Sequence, residues 1–364
     1  MVSYDKPVLP EPGSPDIQDF SESYSSCYNL ILVAERNAVS AYATNKDESA
    51  KQNIICARVT GGFLIHLYGK RNILGDGPAS ELVRQVLSGP KPSDVVVYKV
   101  GRMLRDHLIH PFRSEKKPPA PPSARPSRPD FTRVEDMLAQ TVEASGTDYQ
   151  TSRKKALARD GYRARNLCRE IKGSEAPVQT CHILDKATLQ GLEDPSEDGG
   201  EITPMLCMSL LTILKQFHLS HSVDVLLKKG GVYSPRNILS LIQPLHHAFH
   251  SLDLWFDQTD EDDTYVVQVS RDRILTGYTN VNRRPHFTVN EAFKKPRFKD
   301  VLLELPDPGL LALHAVCARV AHMSGAAEYF HELERDAEDT MVVTEDSLHL
   351  LNNLLSPFAV VSAY

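Results

Sequence analysis

The chain has 364 residues, 41% of them hydrophobic and 24% charged, and its formal net charge is −6. That length predicts two or more packed units, since single cores stop growing near roughly 250 residues, and the acidic balance excludes a global electrostatic case for nucleic-acid binding. No apolar run reaches the ~20 residues a bilayer span needs, and the first residues lack a basic stretch followed by an apolar one, so we expect no membrane association and an intracellular protein, nuclear or cytoplasmic. The six cysteines form no Cys-x-x-Cys pair, which argues against a disulfide framework.

Taken in order, residues 1–26 are rich in Pro, Ser and acidic residues and are expected to form a disordered tail. Apolar positions at three- and four-residue steps then predict helices from Tyr28 to Ala38 and from Asn53 to Leu67, the second weakened by Gly61 and Gly62. Two more follow over Ala79–Leu87 and Val95–Leu108. Residues 27–113 therefore read as a helical N-terminal domain. His66, His107 and His110 have no partner at ligand spacing and read as structural. Residues 114–130, dense in proline, read as an extended linker.

Residues 131–260 read as the functional core and 261–364 as a strand plus a helical extension packed on it. Helices are predicted over Phe131–Ala144 and Thr151–Ala158. Arg153, Lys154, Lys155, Arg159, Arg163, Arg165, Arg169 and Lys172 crowd one short stretch against Asp160 and Glu170. Such a run is either a solvated helix face or a phosphate-binding strip; its place just before a strand favours the second. That strand is Val178–Leu184, short, apolar and β-compatible, with His182 near its end. Met205–Leu227 predicts an inserted helix or hairpin stopped by Gly230 and Gly231. Ser234 and Pro235 open a turn that delivers Asn237. Gln243–His250 reads as a helix with Pro244 in its first turn. His246 and His250 share one face of it, His247 points elsewhere, and Leu245, Phe249 and Leu252 face the core. Two imidazoles so spaced can bind one first-row divalent ion. Asp257–Asp263 reads as an acidic tip and Tyr265–Val269 as a strand that Arg273–Thr276 would pair with. Phe287–Val289 reads as a further strand, Leu310–Glu338 as one long helix in which His314 and His322 pack, and Val342–Leu355 as a last short helix.

The order RDGYR, CHIL, Asn237, His246 and Phe249 resembles the HNH nuclease family, in particular a branch common among fungal proteins. RKKALARDGYR, PSRPDF and LPDPGLLALHAVCARVAHMSGAAEY resemble the same branch, so the resemblance spans Phe131 to Asp339. It implies an α+β, mainly helical chain built on a ββα-metal core with an inserted helix, an N-terminal helical domain and a long C-terminal helix. It implies one divalent metal ion (Mg, Mn, Ni or Zn) and a nucleic-acid substrate, DNA ahead of RNA. In that pattern His182 resembles the general base, His246 the metal ligand and His250 the extra ligand of the colicin-type nucleases. Asn237 resembles the residue that fixes the loop and orients the histidine strand. Lys154, Lys155, Arg159, Arg163 and Arg165 would approach the nucleic acid. The imidazole of His182 is expected to face the His246–His250 pair across a gap for one ion and one phosphate.

Two positions depart from the family. Cys181 stands where Asp or His often ligates the metal, and Ala164 where a cysteine often follows RDGYR. Cys181 suits zinc or another soft metal better than magnesium. Three functions therefore stay open. One is a metal-dependent endonuclease; another is a catalytically impaired nucleic-acid- or protein-binding module on the same fold. The last is a closed structural zinc site of Cys168, Cys181, His246 and His250. A Cys181–His182 nucleophile–base pair is disfavoured, because neighbours on a strand point to opposite faces.

Overall fold

A computed structural model describes residues 3–88, 93–113, 149–160, 178–184, 210–219, 226, 231–276, 281–289 and 303–340. The linker, the predicted Phe131–Ala144 and Val342–Leu355 helices, Arg163, Arg165 and Cys168 lie outside the described residues. What is described is mainly helical with two small antiparallel sheets, an α+β arrangement.

The N-terminal helices are α1 (Glu22–Asn45), α2 (Glu48–Gly69), α3 (Gly77–Leu87) and α4 (Asp94–Leu104). Helix α4 continues through a π-helical turn at Arg105–Ile109. Gly61 and Gly62 do not interrupt α2; they mark where other elements come close. A Cβ on Gly61 would lie 2.7 Å from a Leu9 methyl, and one on Gly62 would lie 3.0 Å from the Met323 sulfur. Gly101 of α4 is tighter still, its missing Cβ falling 2.0 Å from the Cys56 carbonyl oxygen of α2. These crossings set the spacing of the helices.

The expectation of a loose tail over residues 1–26 fails for the described part, residues 3–26, of which Glu22–Ser26 open α1. Leu9 and Ile17 are buried, and the cause is a charge pair inside the helical layer. Glu35 of α1 and Arg58 of α2 are both fully buried, with Arg58 Nε 2.6 Å from Glu35 Oε1. A buried carboxylate needs more donors than one guanidinium nitrogen, and the tail supplies them. The Val8 and Leu9 N–H groups donate to Glu35 at 2.9 and 3.2 Å, while Arg58 donates to the Lys6 carbonyl at 2.8 Å.

Helix α5 (Tyr149–Arg159) precedes β1 (Val178–His182). Strand β1 pairs antiparallel with β2 (Ile238–Ile242), Gln179 opposite Leu241 and Cys181 opposite Leu239. Helix α6 (Gln243–His250) follows β2 directly. Leu252, at φ +62°, turns the chain out of α6 into β3 (Leu254–Gln258), which pairs with β4 (Tyr265–Val269). The partner expected for β4, Arg273–Thr276, instead enters a 3₁₀ turn at Asp272–Ile274. The far edge of β4 is covered by residues 283–287: the Tyr265 and Val267 N–H groups donate to the Pro285 and Arg283 carbonyls at 2.9 Å, and Phe287 N–H to Asp263. The extra pairing therefore sits a few residues earlier than Phe287–Val289. Of the inserted helix, residues 210–216 are helical, with Leu210, Ile213 and Leu214 buried.

The predicted long C-terminal helix is two. Helix α7 (Pro308–Ser324) is capped by the Asp307 side chain, which accepts from Leu310 N–H at 3.0 Å. Gly325, at φ +91°, ends it, and α8 (Ala326–Thr340) leaves at 82°. A Cβ at Gly325 would also lie 2.6 Å from the Tyr4 hydroxyl. Among the described residues no single helix is long and apolar enough to cross a membrane. One cluster of buried apolar side chains runs from Leu9 through α2, β2 and α6 to Phe330, so the described N-terminal helices and the strand–helix unit share a core. Ion pairs cross the same boundary, Lys70 to Asp257 at 3.1 Å and Arg113 to Glu334 at 2.8 Å.

Candidate metal centre

Strand β1 carries Gln179 and Cys181 on one face, two residues apart and so roughly 7 Å apart. Helix α6 carries His246 and His250 one turn apart, roughly 6 Å along its axis. The two spacings match, so each strand residue meets one imidazole. Gln179 Oε1 lies 3.1 Å from His246 Nδ1, and Cys181 Sγ lies 3.4 Å from His250 Nε2. The two imidazoles face one another edge-on with centroids 4.6 Å apart. One ligand atom from each of Cys181, His246 and His250 falls within 4.8 Å of the other two, a group able to hold a metal ion. Cys181 is fully buried, while both imidazoles are only partly covered. The donor set of one sulfur and two imidazole nitrogens fits a tetrahedral ion of the zinc type; among the described residues it numbers three ligands.

The short helix α6, eight residues long, is held at this angle from behind. Leu245 and Phe249 are buried, and the Phe249 ring stacks on His314 of α7 at 3.8 Å and 1°. His314 Nε2 donates to the Phe249 carbonyl at 3.1 Å. Burial pushes the His314 imidazole down to about 3, so it stands neutral, as a packing group and not a ligand. His322 is likewise engaged, 3.1 Å from the Leu252 carbonyl and stacked on Trp255. His247 is exposed, as its helical phase requires.

Asn237 has no exposed surface. Its Oδ1 accepts from Leu184 N–H at 3.0 Å, and its Nδ2 donates to the Leu184 and Val232 carbonyls at 3.0 Å. Its own carbonyl accepts from Ile183 N–H at 2.8 Å. The residue thus clamps the end of β1, immediately beyond His182. His182 itself is the strand position after Cys181, so by alternation its side chain leaves the opposite face; its ring centroid is 6.4 Å from that of Tyr233. The groups that meet the helix imidazoles are Cys181 and Gln179, and His182 is not in the ligand group found among the described residues.

The basic strip divides. Lys154 is exposed and Lys155 partly so. Arg159 is 1% exposed, which overturns its assignment to a nucleic-acid surface. Its guanidinium makes two bonds of 2.8 Å to Asp160 and donates to the carbonyls of Pro235, Ile238 and Glu304 at 2.9 to 3.1 Å. Five donors in a planar fork suit this task, and Arg159 ties α5 to the turn that presents Asn237. Arg236 in the same turn pairs with Asp307, the N-cap of α7. Gln179 carries no motif signal; its only sequence mark is a position two residues before Cys181 on one strand face. Compared with known proteins, the chain matches no family model, no curated protein and no solved structure.

Proposed function

We propose that the chain is a metal-dependent endonuclease of the HNH type, acting on nucleic-acid phosphodiesters, with DNA as the first substrate to test. The observation that carries the reading is the convergence of Cys181, His246 and His250 on an antiparallel strand pair that runs directly into a helix. In this reading Cys181, His246 and His250 hold one divalent ion, with zinc or nickel better suited than magnesium to a thiolate and two imidazoles. Once bound, such an ion supplies Lewis acidity towards a phosphate oxygen. His182, which the resemblance casts as the general base, leaves the opposite face of β1 from the three ligands, so the proton of the attacking water is not assigned to it. Asn237 fixes the strand end that bears it, and Lys154 and Lys155 bring phosphates to the site.

Purified full-length protein incubated with supercoiled plasmid and Mg, Mn, Ni or Zn should nick it, with His246→Ala and His250→Ala abolishing cleavage. Absence of cleavage with every metal, or cleavage that survives His246→Ala, removes the reading. A second reading is a binding module that keeps the metal for its structure alone. It is favoured by the complete burial of Cys181 and the commitment of Arg159 to the fold. It predicts metal uptake and salt-sensitive DNA binding with no turnover.

A further inference from the structure

We infer that Gln179 is a positioning residue for the metal centre: its side-chain oxygen fixes the tautomer of His246 so that Nε2 is the atom offered to the ion. This rests on the metal-binding reading of Cys181, His246 and His250.

The argument starts from the 3.1 Å contact between Gln179 Oε1 and His246 Nδ1. An amide oxygen only accepts, so Nδ1 must carry the proton. A neutral imidazole protonated at Nδ1 has its lone pair at Nε2. His250 turns its own Nε2 towards Cys181 Sγ, so both imidazoles present the same nitrogen to a shared centre. Ligating histidines generally donate their second N–H to an oxygen acceptor, which fixes ring orientation and raises ligand basicity. Here the acceptor and the thiol ligand come from one strand face at positions 179 and 181. That spacing matches the one-turn spacing of the two imidazoles on α6. One strand face therefore provides a metal ligand for one end of the centre and an orienting acceptor for the other.

The test uses full-length protein freed of metal with a chelator, and cobalt(II) as the probe. Cobalt bound by a thiolate and two imidazoles gives a near-ultraviolet sulfur charge-transfer band and visible bands characteristic of a tetrahedral ion. Gln179→Leu should weaken cobalt binding about 10- to 100-fold, with the sulfur band unchanged at saturation and the thermal midpoint of the metal-free protein unchanged. Gln179→Glu keeps the shape and strengthens the acceptor, so its affinity should equal or exceed the wild type. Wild-type affinity in Gln179→Leu overturns the inference, as does weaker binding in Gln179→Glu, which would mean that the amide nitrogen faces His246. If Gln179→Leu does not fold, Gln179→Glu decides alone. Failure of the wild type itself to give the sulfur band would instead remove the metal-binding reading, and Cys181→Ser separates the two because it must lose the band while Gln179→Leu keeps it.

Discussion

Asn237→Ala is the sharpest probe of how the strand end is held. The side chain is fully buried and makes three hydrogen bonds, all of 3.0 Å, to the Leu184 N–H and to the Leu184 and Val232 carbonyls. Truncation leaves one donor and two acceptors without partners in a site closed to water. Each such group costs roughly 1–3 kcal/mol, so even the low end sums to about 3 kcal/mol. The bond from Ile183 N–H to the Asn237 backbone carbonyl survives, which keeps the loss local. Asn237→Asp separates this geometry from a general need for a polar residue. It preserves the acceptor for Leu184 N–H but sets a carboxylate oxygen against two carbonyls, so it should be at least as damaging as alanine. Urea unfolding in the presence of a chelator measures both without a contribution from metal. Cobalt affinity should fall in parallel, since Leu184 lies three residues from Cys181 on the same strand end. A loss below about 1 kcal/mol for alanine, or an aspartate variant as stable as the wild type, would refute the clamp.

Further outcomes follow from other positions. Arg159→Met should cost about 3–5 kcal/mol, because it leaves the Asp160 carboxylate buried without its cation; Lys154→Glu on the exposed side of α5 should leave the thermal midpoint unchanged yet weaken DNA binding. Gly101→Ala gains roughly 1 kcal/mol of helix propensity but drives a Cβ to 2.0 Å from the Cys56 carbonyl, an overpacking of about 3 kcal/mol. It should therefore lower the unfolding midpoint, whereas Gly69→Ala, with nothing within 4 Å, should not. His314 is held far below its ordinary value of 6.5, at about 3, so between those values the unfolded chain binds a proton that the folded chain does not. Its contribution is fully present above about pH 6.5 and is lost on acidification at about 1.4 kcal/mol per pH unit. Urea midpoints measured from pH 7 down to pH 4.5 should show a shallower acid slope in His314→Gln, and an unchanged slope would refute the assignment.

What was legible in the sequence was local and periodic. Strand β1 showed as a short β-compatible run and α6 as a helix start with proline in its first turn, and the four-residue interval of His246 and His250 fixed their shared face. Strand β3 was not legible: Leu254, Trp255, Phe256 and Asp257 are all buried, so no apolar–polar alternation marks a strand. The break at Gly325 was hidden because apolar residues continue on both sides of it. Glu35, Arg58 and Arg159 look like ordinary surface charges, and only tertiary placement shows that each is enclosed with its partners. Composition likewise marks residues 1–26 as tail, since Leu9 and Ile17 are too few to announce a packed segment, yet Glu22–Ser26 already belong to α1.

The same long-range contacts decide whether α6 can present its histidines at all. An isolated helix of eight residues is not stable in water, and its own sequence provides no side-chain N-cap. Its rotation is set by Leu245 and Phe249 entering the core and by His314 bonding the Phe249 carbonyl from α7. Helix α7 is in turn started by Asp307, which caps Leu310 N–H and pairs with Arg236 beside Asn237. The chain of contacts thus runs from the turn that clamps β1, through Asp307 and α7, to the back of α6. Strand and helix are fixed relative to each other by a route that does not pass through the ligands. The three ligand atoms can therefore be brought together by the fold before any ion arrives, which lowers the ordering cost that binding would otherwise meet.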